Sequence, residues 1–121
     1  MGENCVFCEI IAGEAPASIV QTSDRYWIIE PLGPQVPGHV LVIPTIHVDD
    51  AVQSPAMTGV VMHAAAAYAA DLGRPVNIIT SVGAEATQSV FHLHVHVLPR
   101  GAADGLRPSW PWVKPKDAGH G

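Results

Sequence analysis

The sequence predicts an α+β domain, an antiparallel sheet of about five strands with a short N-terminal helix and one longer helix. Three observations carry this. The chain has 121 residues, 48% hydrophobic and only 14% charged, which suits one packed core and leaves little room for a second. Short β-branched segments alternate with turns rich in Pro and Gly. One long apolar stretch carries both a helix-start and a helix-stop signal.

Taken in order, Val6, Phe7, Ile10 and Ile11 have the spacing of a short amphipathic helix that Gly13 ends. Ser18–Thr22 and Tyr26–Glu30 read as strands joined by a turn at Ser23, Asp24 and Arg25. Pro31–His39, PLGPQVPGH, is dense in Pro and Gly and reads as a rigid loop. His39–Pro44 is a β-branched strand that stops at proline. Ser54 is a suitable N-cap, Pro55 a suitable first helical residue and Gly73 a suitable terminator, so a helix runs between them. Its Ala-rich face suits close packing on a sheet. Val76–Val82 and Val90–Leu98 are the last two strands, separated by the small-residue loop Gly83–Ser89. The domain is expected over residues 1–104, with a Pro- and Trp-containing tail over 105–121.

The formal net charge is −5 and no Lys/Arg cluster occurs, which argues against a nucleic acid polymer as partner. The start, MGENCVFCEII, lacks a basic region followed by a long apolar one, and no apolar run suits a bilayer. A cytoplasmic protein without membrane attachment is therefore expected. Two cysteines, Cys5 and Cys8, are too few for a disulfide framework. Cys-x-x-Cys alone fits a redox pair, two buried thiols or half of a metal site. No GxGxxG, GxxxxGK[ST] or GxSxG is present, which argues against dinucleotide-fold, P-loop and serine-hydrolase readings.

The chemistry concentrates in FHLHVHVLP. His92, His94 and His96 alternate with Leu93, Val95 and Val97, so on a strand all three imidazoles share one face. A lone strand histidine is usually an ordinary residue with its hydrogen bonds satisfied. Three in register are harder to explain so, because several buried imidazoles all need partners and titrate near neutrality. Two functional readings remain. The three can bind a metal, although such sites normally add a nearby carboxylate, and this strand has none. Alternatively a neutral imidazole attacks phosphorus and forms a covalent phosphohistidine that water cleaves.

The segment Gln88–Pro99, QSVFHLHVHVLP, resembles the signature of the histidine triad (HIT) superfamily. CVFCEIIAGEAPA near the start and PGHVLVIPTIH at Pro37–His47 resemble further family segments in family order, so the resemblance spans about residues 5–100. The chain is most similar to the short Hint-like nucleoside phosphoramidate hydrolases. Fhit-like dinucleoside polyphosphate hydrolases are the near alternative.

The resemblance implies an HIT-like fold and an enzyme acting on the α-phosphate of nucleoside phosphoramidates or related nucleotide conjugates. It implies that His94 is the nucleophile, that His96 contacts the phosphoryl oxygens, and that His39, Gln88 and Ser89 complete the catalytic set. It places a purine nucleotide or conjugate in a slot formed by Val6, Phe7, Ile10, Ile29 and Leu32, each of which also reads as a plain core residue. Where the family usually carries a ribose-binding Asp, this chain has Pro31, with Glu30 one residue earlier as a substitute. Ser81 stands where an Asn is common. These departures also suggest a nucleotide-binding regulatory protein with vestigial activity as another class of function. Arg100, the nearest fixed cation, reads first as a solvated residue after the strand.

In relatives that begin with such a Cys-x-x-Cys, the resemblance implies a structural zinc ion held by Cys5, Cys8, His47 and His92. A closed Cys2His2 set is structural because it leaves no open coordination position. The resemblance further implies a homodimer, with Trp110–Trp112 of the tail near the partner's site. His63 and His120 read as structural or solvent-exposed.

Overall fold

The structure, a computed structural model, describes residues 5–106; the tail with Trp110, Trp112 and His120 lies outside the described residues. Helix α1 (Val6–Ile11) is followed by strands β1 (Ser18–Thr22), β2 (Tyr26–Glu30) and β3 (Val40–Pro44). Helix α2 (Pro55–Leu72), strand β4 (Val76–Ile79), a single 3-10 turn (Ala84–Ala86) and strand β5 (Val95–Pro99) complete the order. The five strands form one antiparallel sheet in the order β1-β2-β3-β5-β4.

Strand β3 is buried at every position because both faces of the sheet are covered, so it reads as a continuous apolar run. Val40 and Val42 face α2, where they pack with Ile28, Val95, Val97, Val61, Ala64 and Ala65. Leu41 and Ile43 face the other way, into a second cluster with Ile29, Cys5, Phe7 and Ile10. The alanines of α2 bring the helix backbone close to the sheet. Its ends follow the sequence signals: the Ser54 hydroxyl accepts from the Met57 N–H at 3.1 Å, and Gly73 closes it in the left-handed conformation at φ 66°. Strand β1 is an exposed edge with a bulge between Ile19 and Gln21.

Strand register positions the site. Leu41 lies opposite both Ile29 and His96, so these three form one row on the α1 face of the sheet. His96 thus occupies the place of a core hydrophobe.

Two strands are shorter than their apolar runs. β4 ends at Ile79, not Val82, and β5 begins at Val95, not Val90. Ahead of β5 the backbone leaves the ladder: the Leu93 N–H donates to the Val48 carbonyl at 2.8 Å, and the Thr80 hydroxyl donates to the His94 carbonyl at 2.8 Å. His92 and His94 therefore precede the strand, yet the alternation holds: Leu93 joins Val95 and Val97 in the α2-side cluster, and His92 and His94 meet Phe7 on the other side. Among the described residues no helix is long and apolar enough to cross a membrane.

Candidate functional site

The break in the ladder divides the histidine run. The rings of His94 and His96 stay together, with centroids 5.1 Å apart. His92 turns to His47, at 4.9 Å. Phe7 of α1 stands between the two groups. Its ring meets His92 edge-on at 5.6 Å and His94 at 5.2 Å.

Each hydrogen bond to a backbone group fixes a tautomer. His94 Nδ1 lies 2.8 Å from the His92 carbonyl oxygen, which only accepts, so Nδ1 carries the hydrogen. Burial pulls the His94 pKa below the ordinary histidine value, against the opposing effect of that bond. The ring is therefore neutral at pH 7, with its lone pair on Nε2. His39 Nδ1 accepts from the Gln35 peptide N–H at 3.0 Å, which puts its hydrogen on Nε2. That nitrogen lies 3.0 Å from His96 Nδ1. His96 then accepts at Nδ1 and carries its own hydrogen on Nε2. Burial pushes His39 down to about 4; burial, followed by the neighbouring His94 and His39, pushes His96 down to about 3. All three rings are neutral near pH 7, one presenting a lone pair and the next an N–H.

Beside them Cys5, Cys8, His47 and His92 bring one ligand atom each to within 4.8 Å of one another. Cys5 Sγ is 3.3 Å from His92 Nδ1, Cys8 Sγ is 3.4 Å from His47 Nδ1, and the two Nδ1 atoms are 3.1 Å apart. His92 Nε2 donates to the Pro44 carbonyl at 3.1 Å, and His47 Nε2 faces the Asp49 carboxylate at 2.9 Å. Both hydrogens are thereby drawn to Nε2, so two Nδ1 lone pairs point at each other. A cation between them, or the hydrogens of the neighbouring thiols, would relieve the repulsion of such an arrangement. Bond lengths to tetrahedral zinc imply ligand–ligand edges of about 3.3–3.8 Å, close to the separations here. The four residues could hold a metal ion. Burial, then the hydrogen bond its thiol makes to Cys5, pushes Cys8 up to about 11, so without a cation it stays protonated at neutral pH.

A cavity of about 320 Å³ opens against the histidines, within the size range of small-molecule sites. Its floor is formed by Leu41, His39, His94 and His96; Val6, Phe7 and Ile10 of α1 form one wall. Ile29 continues the row of Leu41 and His96, and Glu30, Pro31, Leu32, Gly33, Gln35, Ser89 and Val90 complete the lining described. No lysine or arginine lines it among the described residues.

The structure thus brings His39, His94, His96 and Ser89 together with the slot residues Val6, Phe7, Ile10, Ile29, Leu32 and Glu30. Leu32 is fully exposed at the rim, not part of a closed wall. Two expected members are not in the lining. Gln88 is buried and its amide is spent on the backbone: Oε1 accepts from the Gly83 N–H at 2.8 Å, while Nε2 donates to the Asp49 and Val90 carbonyls. It braces the loop that presents Ser89 instead of reaching into the cavity. Ser81 lies just past the end of β4 and does not border the cavity either. Arg100 is no solvated cation, since its guanidinium is held by Asp104 at 2.6 Å and by the Leu106 carbonyl.

Three contributors were missed by sequence reasoning. Gln35 acts through its peptide group, which leaves no side-chain signature. Thr80 holds the His94 carbonyl from the residue just past the end of β4, where no side-chain pattern marks it. Asp49 was legible in principle, because a carboxylate two residues after a candidate ligand histidine is a familiar way to orient the ring.

The HIT domain family model matches residues 12–103. A HIT family hydrolase from Clostridium thermocellum is 36% identical, with a TM-score of 0.75 over 84% of this chain and 94% of that one. A Zn-bound histidine triad family protein from Mycobacterium smegmatis is 32% identical, with a TM-score of 0.75 over 88% of this chain and 82% of that one. The Arabidopsis thaliana protein named Adenylylsulfatase HINT3 is 34% identical over 109 residues, covering 85% of this chain and 55% of its own length.

Proposed function

Because the chain belongs to the HIT family, we propose that it is a hydrolase or transferase that acts on the α-phosphate of nucleoside phosphoramidates or related nucleotide conjugates. One observation carries the reading. The His94 Nδ1 hydrogen is committed to the His92 carbonyl, which leaves a neutral ring with its Nε2 lone pair in the residue that floors the cavity. That is the state a phosphorus-directed nucleophile requires.

In this reading His94 Nε2 attacks the α-phosphorus, a P–Nε2 bond forms and the bond to the leaving amine breaks. The amine departs with a proton drawn from solvent water and relayed by the Ser89 hydroxyl, which lines the cavity. His96 donates from Nε2 to a phosphoryl oxygen and stabilises charge developing there. Water then attacks the same phosphorus, a P–O bond forms as the P–Nε2 bond breaks, and the proton this water loses to solvent balances the one given to the amine.

The cavity's charge favours substrates with little phosphate charge. Its lining holds neutral imidazoles and the carboxylate of Glu30, with no fixed cation among the described residues. A polyphosphate bridge, as in dinucleoside polyphosphates, normally needs cations along its length. A phosphoramidate or mixed-anhydride monoanion does not. The apolar walls suit a purine base, and Glu30 takes the ribose hydroxyls in place of the side chain that Pro31 lacks.

The cluster of Cys5, Cys8, His47 and His92 is the place for a structural zinc ion. The opposed lone pairs support it. Bound zinc would supply a cross-link between α1 and the segments that carry His47 and His92, with the reacting atoms elsewhere.

Wild type and His94→Ala are incubated with adenosine 5′-phosphoramidate, adenosine phosphosulfate and diadenosine triphosphate, then quenched in alkali and examined by mass spectrometry. The expected result is an AMP adduct on His94 in the wild type, with the phosphoramidate or phosphosulfate turned over faster than the triphosphate. Normal turnover by His94→Ala would refute the assigned nucleophile. AMP binding without turnover of any substrate would favour a regulatory role.

A further inference from the structure

We propose that the peptide N–H of Gln35 sets the proton register of the His39–His96 pair, making His96 a hydrogen-bond donor towards the cavity. Gln35 is on this view a positioning residue that acts through its backbone, and its consequence for turnover rests on the phosphoryl-transfer reading above.

A backbone N–H has one polarity and cannot be rotated into an acceptor. At 3.0 Å from His39 Nδ1 it admits only the His39 tautomer with the hydrogen on Nε2. The alternative would set two hydrogens against each other. With Nε2 of His39 donating across 3.0 Å, His96 Nδ1 must accept, and the His96 hydrogen is left on Nε2. Reversing the first bond reverses all three. His96 would then turn a lone pair towards any ligand in the cavity, and an anionic phosphoryl oxygen would be repelled, not bound. His39 is only 3% exposed, so water does not easily replace the peptide as the group that decides.

The loop is built to hold this amide still. Pro34 and Pro37 flank it, and the His39 N–H returns to the Val36 carbonyl at 3.1 Å, closing a turn around the ring. Gly38 sits at φ 87°, and a Cβ there would come within 3.1 Å of Pro99 Cγ. Pro99 ends the strand that carries His96. The donor amide and the final acceptor ring are therefore anchored to the same strand, and the lining residues Pro31–Gly33 begin the same loop.

The test uses uniformly 15N-labelled protein. Long-range imidazole spectra are expected to show His39 and His96 with hydrogen on Nε2, together with a through-hydrogen-bond coupling from the Gln35 nitrogen to His39 Nδ1. Hydrogen on Nδ1 of either ring overturns the proposal. Gln35→Ala keeps the peptide N–H, and its tautomers should match the wild type. Gln35→Pro removes the N–H and should move a measurable fraction of His39 to the other tautomer. Its kcat on adenosine 5′-phosphoramidate should then fall at least tenfold below that of Gln35→Ala, with KM changed less than threefold. Identical tautomers and kcat in the two variants would also overturn it. Should Gln35→Pro not fold, the wild-type spectra still decide. They need no substrate, so a failure of turnover counts against the reaction and a wrong tautomer counts against the Gln35 assignment.

Discussion

Replacing Phe7 by alanine should disturb both halves of the site at once. The ring is only 6% exposed, belongs to the cluster with Ile10, Ile29 and Leu41, and meets the edges of His92 and His94. A Phe→Ala change in a sealed core costs about 3–5 kcal/mol. Here the vacated space joins the neighbouring cavity, so water can fill it and the cost falls at the lower end, about 3 kcal/mol. For a domain of this size that corresponds to a drop in Tm of roughly 10 °C. The catalytic effect is separate. With Phe7 gone the His94 ring keeps its Nδ1 bond but loses a packing partner on one side, and small misplacements of a reacting group are costly. We predict that kcat on adenosine 5′-phosphoramidate falls by about 10- to 100-fold, assayed well below the new Tm. Thermal melts and single-turnover kinetics on the same preparation check both. An unchanged Tm with normal turnover would refute the idea that α1 is packed against the histidines through Phe7.

Acid should destabilise the protein in a defined window. His39 and His96 titrate below the ordinary 6.5, at about 4 and about 3, so between those values and 6.5 the unfolded chain binds protons that the folded one does not. Stability is then fully present above pH 6.5 and is lost as pH falls towards 4, with His39 contributing up to about 3 kcal/mol. Urea titrations from pH 8 to 4 should show this slope, and it should flatten in His39→Gln. Chelation should lower the Tm while leaving kcat of still-folded enzyme largely intact, and protein purified without chelator should contain one zinc per chain by elemental analysis. Asp49→Ala, which removes the partner of His47 Nε2, should weaken zinc about 10- to 100-fold in a competitive chelator titration. Gly38→Ala meets both a left-handed φ and Pro99, and chemical denaturation should show a loss of at least 1–2 kcal/mol.

Most of the fold was legible because its signals are local. The hairpin of β1 and β2 has its turn residues between two β-branched runs. Ser54, Pro55 and Gly73 bound α2 where the helix in fact begins and ends. What misled was the length of the last strand. An alternating pattern from Val90 to Leu98 is compatible with one continuous strand, but periodicity does not reveal whether a neighbour is there to pair with it. Of that run β3 pairs only with Val95–Val97, and Val48 and Thr80 take the backbone groups ahead of that. The three imidazoles nonetheless keep to the α1 side, with Leu93, Val95 and Val97 on the α2 side, as the alternation predicts.

The sequence alone thus contains the α+β class, the residues able to do chemistry and, through resemblance, the family. It contains them because propensity, capping and motif composition are properties of short stretches. The division of labour among the histidines is a different kind of fact. Cys8 and His47 are 39 positions apart, as are Asp49 and Gln88, and Cys5 and His92 are 87 apart. Which ring nitrogen holds a hydrogen depends on which carbonyl or amide the folded chain brings within about 3 Å of it. That proximity turns His92 to the cysteines, leaves a lone pair on His94 and draws Gln88 out of the expected site into a loop brace. It exists only once the sheet, the two helices and the Pro-rich loop have packed.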